Sequence, residues 1–138
     1  MKNHILIASI LISAPLSFAH SDNLTVQQLL KEYKSQGAGP ADAKQGEILW
    51  QKTYLNKAGV SERSCTSCHT KQLSNVGKHI RTNKEIKPMS PLANPQRLTN
   101  IKKINKWFKR NCKWTMGREC SAQEKANILV YIDKQSIK

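Results

Sequence analysis

The sequence has few acidic residues, few aromatic residues and a low apolar content. Its 138 residues include 9 Asp and Glu against 23 Lys and Arg, which gives a formal net charge of +14 at pH 7. Aromatic residues account for 6% of the chain and hydrophobic residues for 38%, so we expect one domain with a modest apolar core. This composition excludes a protein with several membrane spans, and four cysteines are too few for a small disulfide-dense scaffold.

The N-terminus has the pattern of a secretory signal peptide. Lys2 opens a short positive segment, residues 5–12 are apolar, and small residues precede a cleavage site after Ala19. The apolar run is too short to span roughly 30 Å of hydrocarbon, and no cysteine follows it to carry a lipid. We therefore predict a signal peptide at 1–19 and a periplasmic mature domain at 20–138 without a stable membrane anchor. Export also argues against nucleic acid as the partner of this basic chain and places it in an oxidising compartment.

Apolar residues at helical spacing predict an all-α fold with three to five helices and no strand. Residues 20–40 are expected to form an N-terminal extension helix, capped by Thr25, and a linker. We expect a second helix to begin at Asp42 and to end at residues 57–59. We expect the third helix to begin at Thr99 or Asn100, with Ile101, Ile104, Trp107 and Phe108 on one face. The last helix is expected to begin at Ser121, with Glu124 completing a capping box.

Residues 65–69 read Cys-Thr-Ser-Cys-His and form the most specific pattern in the chain. Cys-x-x-Cys-His is the attachment sequence of haem c. Two thioether bonds fix the edge of the porphyrin, and the adjacent His then lies beneath the iron as its proximal ligand. We therefore predict one covalent haem c attached at Cys65 and Cys68, with His69 on the iron. This haem also supplies apolar mass that the composition lacks.

Three other kinds of site share the Cys-x-x-Cys spacing, and each fits the chain less well. A thioredoxin-like redox site needs a βαβ unit, which the helical pattern does not predict. A zinc site needs further ligands, and Cys112 and Cys120 lack the spacing of a second zinc knuckle. A disulfide between Cys65 and Cys68 would close a very short, strained loop.

The sixth ligand of the iron decides between functional classes. Electron carriers hold the iron on both faces, whereas gas-binding and catalytic haems leave one position open or labile. The downstream candidates are His79, Met89, Asn94 and Met116. Thioether ligation is common in cytochromes c, so side-chain chemistry alone ranks Met89 first and leaves the other three open.

Two longer runs resemble one family of haem proteins. Residues 86–99 (IKPMSPLANPQRLT) and 106–120 (KWFKRNCKWTMGREC) are similar to the sphaeroides haem protein family, which are high-spin class I cytochromes c. The resemblance extends from about residue 65 to residue 132, whereas residues 20–60 match only in their helix pattern. The resemblance implies the class I cytochrome c fold. In that fold the N-terminal helix has a Gly-x-x-x-aromatic pattern where it crosses the C-terminal helix, and Gly46-x-x-x-Trp50 resembles this pattern.

The resemblance also implies a ligand set and a partner. In that family an Asn side chain binds oxidised iron and leaves on reduction, which opens a site for oxygen, nitric oxide or a similar small gas. The matching residue is Asn94, and Pro95 favours an extended backbone at this position. The family also has a disulfide that matches Cys112 and Cys120, and its usual redox partner is a dihaem cytochrome c.

The positive charge is concentrated in one part of the chain. Residues 71–118 contain 13 bases and one acid, Glu85, whereas the rest of the mature chain is nearly neutral. We expect this segment to dock an acidic redox protein. The sequence thus predicts an electron-transfer cytochrome that binds a diatomic gas when reduced. The alternatives are a plain electron carrier with permanent Met89 or His79 ligation, and a haem enzyme that converts a small ligand, although no distal acid–base pair can be assigned.

Overall fold

The computed structural model describes residues 23–55 and 62–136. Most of its ordered elements are helices, which confirms the predicted fold class. The elements are α1 (Leu24–Ser35), α2 (Ala43–Gln51), β1 (Tyr54–Leu55), β2 (Glu62–Arg63), α3 (Thr66–His69), β3 (Gly77–Lys78), β4 (Glu85–Ile86), α4 (Ile101–Met116), α5 (Ala122–Asp133) and a 3-10 turn (Lys134–Ser136). The predicted signal peptide lies outside the described residues. No helix within the described ranges is both long enough and apolar enough to cross a bilayer.

Four very short strands contradict the expectation of a strand-free chain. β1 pairs antiparallel with β2, and β3 pairs antiparallel with β4. Each strand has only two residues, which is too short to display an alternating hydrophobic pattern. The prediction that the second helix continues to residues 57–59 was also wrong, because α2 ends at Gln51 and Tyr54 pairs with Arg63 in a strand. Residues 57–59 themselves lie outside the described part of the chain.

Side-chain caps determine where the longer helices begin. Asp42, Asn100 and Ser121 are the N-caps of α2, α4 and α5, as predicted, and Ser121 forms a reciprocal capping box with Glu124. The cap predicted for α1 was wrong: Asn23, not Thr25, accepts hydrogen bonds from the first backbone N–H groups of that helix.

The core is formed where α1, α2 and α5 pack together. Val26, Leu29 and Tyr33 of α1 are each at most 1% exposed, so the predicted extension helix is an integral part of the core. α2 crosses α5 at Gly46, where an added Cβ would meet the carbonyl of Asn127 and lie 2.7 Å from the Cβ of Tyr131. The absence of a side chain at Gly46 therefore permits the close helix crossing that the family resemblance implied.

Helix α4 contacts α1 at Tyr33, and its opposite face is exposed to solvent. Phe108 meets the ring of Tyr33 edge to face, with ring centroids 6.4 Å apart, and Tyr33 Oη donates a hydrogen bond to Asn105. Trp107, which was predicted to share the apolar face, is 43% exposed. A helix turns by about 100° per residue, which places Trp107 at the edge of the apolar stripe formed by Ile101, Ile104 and Phe108. Its ring therefore lies outside the packed interface.

Candidate functional site

The one-turn helix α3 presents the residues of the Cys-x-x-Cys-His motif together. Cys65, Cys68 and His69 lie at positions i, i+3 and i+4, and His69 N donates to Cys65 O across the turn at 3.0 Å. This spacing places the two sulfurs and the imidazole on the same side of the turn. Both motif cysteines are free thiols in the structure. The turn ends at Thr70, whose φ of +66° lies in a region that a β-branched residue rarely adopts.

His69 is held as a neutral imidazole. Burial, assisted by the positive charge of Arg97, lowers the pKa of His69 to about 4. Its Nδ1 is buried and has no hydrogen-bond partner among the residues that the structure describes. A neutral imidazole is the form of histidine that binds a metal.

Two residues outside the motif hold this turn in place. The ring of Trp50 lies 5.5 Å from the ring of His69, and Trp50 Nε1 donates a hydrogen bond to the carbonyl of Thr70 at 3.0 Å. On another side, an added Cβ at Gly77 would meet the carbonyl of Cys68 and lie 3.1 Å from the Cα of His69. Sequence reasoning assigned Trp50 only to the helix crossing and missed Gly77, because the approach of β3 to α3 is not local in sequence.

The donor set fits a haem c. Burial raises the pKa of the Cys65 thiol to about 11. Within residues 23–55 and 62–136, no group of three or more His, Cys, Asp or Glu side chains is arranged to hold a metal ion. A c-type haem needs two cysteine sulfurs for its thioether bonds and one imidazole nitrogen for its iron. Two thiols beside a neutral imidazole provide this set.

The loop before α4 carries Asn94 and Met89. Both side chains are half-buried, and Met89 packs against the hydrophobic core. Asn94 Nδ2 donates a hydrogen bond to the carbonyl of Pro88 at 3.1 Å, and Arg97 Nε donates to the same carbonyl at 2.9 Å. Since the charge of Arg97 acts on the pKa of His69, this loop lies within electrostatic range of the imidazole.

The two other candidate ligands lie in different surroundings. The Nδ1 atom of His79 accepts hydrogen bonds from the backbone N–H groups of Arg81 and Thr82, so this ring caps the turn between β3 and β4. Met116 is the last residue of α4, and its sulfur lies 3.6 Å from the sulfur of Cys120.

Cys112 and Cys120 are joined as a disulfide, with Cα atoms 5.5 Å apart. The bond links the last turn of α4 to the start of α5. Arg63 connects the same helix end to the haem motif, because its Nη1 donates to the carbonyl of Trp114 at 2.9 Å and its guanidinium lies 4.6 Å from the centroid of that ring. The disulfide is thus tied to strand β2, two residues before Cys65.

The outer surface of α4 is strongly basic. Its exposed cations are Lys102, Lys103, Lys106, Lys109, Arg110 and Lys113. Lys113 pairs with Glu119 at 3.1 Å, and Arg110 lies 5.2 Å from the centroid of the exposed Trp107 ring. We call these six cations together with Trp107 the α4 basic surface.

Comparison with known proteins gives consistent matches. A family model described as "Domain of unknown function (DUF1924)" matches residues 36–132. The cytochrome c-type protein SHP of Cereibacter sphaeroides is 35% identical over 130 residues, which cover 94% of this chain and 97% of the relative. Cytochrome c'' of Methylophilus methylotrophus is 40% identical over 87 residues, which cover 63% of this chain and 60% of the relative.

Two solved structures resemble the chain over most of its length. The structure of oxidised SHP, described as an oxygen-binding cytochrome c, aligns with a TM-score of 0.69 at 37% identity and covers 78% of this chain and 94% of that one. The solution structure of cytochrome c'', reported for its insight into haem-ligand detachment, aligns with a TM-score of 0.71 at 33% identity. It covers 84% of this chain and 98% of that one.

Proposed function

The chain belongs to the SHP family of c-type cytochromes, and from this premise we propose that it transfers electrons in the periplasm and binds a small diatomic gas when reduced. It is a monohaem cytochrome of the class I fold with a covalently attached haem c. The proposal concerns which residues hold the haem, which residue leaves the iron, and which surface meets the redox partner.

Cys65 and Cys68 form the thioether bonds, and His69 is the proximal ligand. A bound haem would supply a redox-active iron and, besides the histidine, a position for a second ligand. The chain holds the imidazole neutral through burial and orients its ring against Trp50. Gly77 lets the β3 backbone approach the turn closely enough to support it.

Asn94 is the distal ligand of the oxidised protein and leaves when the iron is reduced. The observation that carries this proposal is the half-buried Asn94 amide, whose nitrogen is occupied by the Pro88 carbonyl while no residue in the described ranges donates to its oxygen. An amide oxygen is a hard, neutral and weak ligand, tolerated by ferric iron and easily lost from ferrous iron. The description of SHP as oxygen binding, and of cytochrome c'' in terms of haem-ligand detachment, supports a labile sixth position.

Optical spectra of the ferric and the dithionite-reduced protein, with and without carbon monoxide, test this assignment. We expect the reduced protein to be high-spin and to bind the gas, and we expect Asn94→Ala to alter the ferric spectrum. A low-spin ferrous spectrum that carbon monoxide does not change would contradict the proposal. That result would favour permanent ligation by Met89, which lies half-buried on the same loop.

The α4 basic surface docks an acidic redox protein, of which a dihaem cytochrome c is the expected example. The charge complementarity accelerates encounter, and the exposed Trp107 provides an apolar anchor among the cations. Electron transfer from a reduced acidic dihaem cytochrome c should slow steeply as ionic strength rises. Reduction by a small neutral reductant provides the control. Equal rates at low and high salt would exclude docking by this surface.

A further inference from the structure

The carbonyl oxygen of Pro88 accepts hydrogen bonds from two side chains of the same loop. Asn94 Nδ2 approaches it at 3.1 Å and Arg97 Nε at 2.9 Å. Arg97 also donates through Nη2 to the carbonyl of Lys87 at 2.6 Å. One guanidinium therefore fixes two successive carbonyls of the backbone that faces Asn94.

This arrangement determines which end of the Asn94 amide is free. A carbonyl oxygen accepts a hydrogen bond only from the NH2 group, so the Pro88 carbonyl selects one of the two flip states of the amide. The other end, Oδ1, accepts no hydrogen bond from any residue in the described ranges. The oxygen, which is the ligating atom of a neutral amide, is therefore the unoccupied end.

The N–H groups of Met89 and Ser90 both donate to the carbonyl of Leu73 at 2.8 Å and anchor the backbone next to Pro88. Pro88, Pro91 and Pro95 contribute no backbone N–H, so a short stretch of chain lacks three of its donors. The half-buried guanidinium of Arg97 supplies N–H donors in place of the missing backbone N–H groups, and its planar shape holds these donors in a fixed geometry. The backbone N–H of Arg97 donates to the carbonyl of Asn94 at 2.8 Å, which closes the loop from the other side.

We propose that Arg97 is a positioning residue for the distal ligand: by fixing the Pro88 carbonyl, it orients the Asn94 amide so that Oδ1 faces the iron. This inference rests on the proposed ligation by Asn94. Arg97 donates to the carbonyls of Pro88 and Lys87, and through them it acts on the equilibrium between the Asn94-bound and the open ferric state. An external ligand competes with Asn94 in the ferric protein, so loosening the amide raises the apparent affinity for that ligand.

Imidazole titration of the ferric protein at pH 8 measures this competition, because imidazole is then neutral and insensitive to a lost charge. We expect Arg97→Met to raise the apparent affinity for imidazole roughly 3- to 10-fold, the change that follows from losing one or two hydrogen bonds. Arg97→Lys keeps the positive charge but loses the planar set of guanidinium donors, so we expect an intermediate effect. It also serves as the second variant if Arg97→Met folds poorly. Arg81→Met, which removes an exposed cation from the neighbouring turn, is the matched control and should leave the affinity unchanged.

The same titration in an Asn94→Ala background separates the possible outcomes. If Arg97 acts through Asn94, Arg97→Met should produce no further change once Asn94 is absent. An equal effect in both backgrounds, or no effect in either, would overturn the positioning role. If Asn94→Ala alone leaves the ferric spectrum and the imidazole affinity unchanged, the distal ligation itself fails, which is a separate result.

Discussion

The indole N–H of Trp50 donates a hydrogen bond to the carbonyl of Thr70, so α2 directly holds the residue that follows His69. Thr70 has a φ of +66°, and its side chain donates a second hydrogen bond to the carbonyl of Gln72. A β-branched residue adopts this conformation only when its surroundings enforce it. The Trp50 contact is therefore part of what positions His69.

Replacing Trp50 by Phe should retain most of the packing against Tyr131 and remove the hydrogen bond. We expect a loss of about 1 kcal/mol in the free energy of unfolding, since the Thr70 carbonyl would lose a buried donor. Urea unfolding of the ferric protein, followed by haem absorbance, measures the change. Trp107→Phe is the matched control, because Trp107 is exposed and the substitution should leave stability unchanged. Equal stability of both variants would mean that the hydrogen bond contributes nothing.

Gly46 and Gly39 provide a matched pair for testing the helix crossing. Gly46→Ala would place a Cβ against the Asn127 carbonyl and force α2 away from α5, at a cost of about 1–3 kcal/mol. At Gly39 the added Cβ would meet only the side-chain oxygen of Gln123 at 3.3 Å, which can move aside. Thermal melts of the two variants should therefore show a much lower midpoint for Gly46→Ala. A melt of Gly46→Ala that matches the wild type would show that the crossing is not close.

Removing the disulfide should destabilise the protein without preventing haem attachment. The bond between Cys112 and Cys120 closes a short loop, and in the chain-entropy model it stabilises the fold by about 2.5 kcal/mol. We expect the Cys112→Ser/Cys120→Ser variant to unfold at correspondingly lower urea concentration. The haem content should equal that of the wild type, because the predicted attachment uses Cys65 and Cys68. Unchanged stability would mean that the bond does not form in the mature protein.

Glu124 should contribute a pH-dependent increment to stability. The hydrogen bond from Arg118, and more weakly the Ser121 backbone, lower the pKa of Glu124. A carboxyl with a lowered folded-state pKa stabilises the protein above its unfolded pKa and loses this contribution as the pH falls through the folded value. Because Arg118 is exposed, Glu124→Gln should cost only about 0.5 kcal/mol at pH 7.

The difference between Glu124→Gln and the wild type should shrink as the pH falls below about 4, where both side chains are uncharged. Urea unfolding at several pH values from 7 down to about 2.5 measures it. Glu119→Gln is the control: the pKa of Glu119 is lowered by Lys113, but both partners are exposed, and we expect no measurable change. A pH-independent difference for Glu124→Gln would show that its charge is not involved.

Local sequence signals predicted the parts of the structure that depend on neighbouring residues. Cys65, Cys68 and His69 share one turn because their spacing is helical, and Ser121 caps α5 because its partner Glu124 lies three residues away. The cap predicted for α1 was wrong because Asn23 and Thr25 are both good capping residues and lie only two residues apart. The sequence pattern alone did not indicate which of them the chain would use.

Local sequence patterns could not predict the contacts between segments that are distant in the chain. The pairing of Tyr54 with Arg63 ended α2 earlier than its apolar spacing indicated, and the approach of Gly77 to Cys68 depends on a hairpin that no periodicity reveals. The shared Pro88 carbonyl was missed for the same reason. The sequence did not reveal this role of Arg97, because a hydrogen bond to a backbone carbonyl leaves no signature in residue type.

The packing of α1 against α5 has a consequence for the order in which the protein matures. The most deeply buried side chains of the first helix, Val26, Leu29 and Tyr33, are covered by the last helix of the domain. The core therefore cannot close until the C-terminal helix has been synthesised and can dock on α1. Until then the segment bearing Cys65, Cys68 and His69 is not enclosed by the folded domain, so covalent haem attachment can precede the final docking of α5.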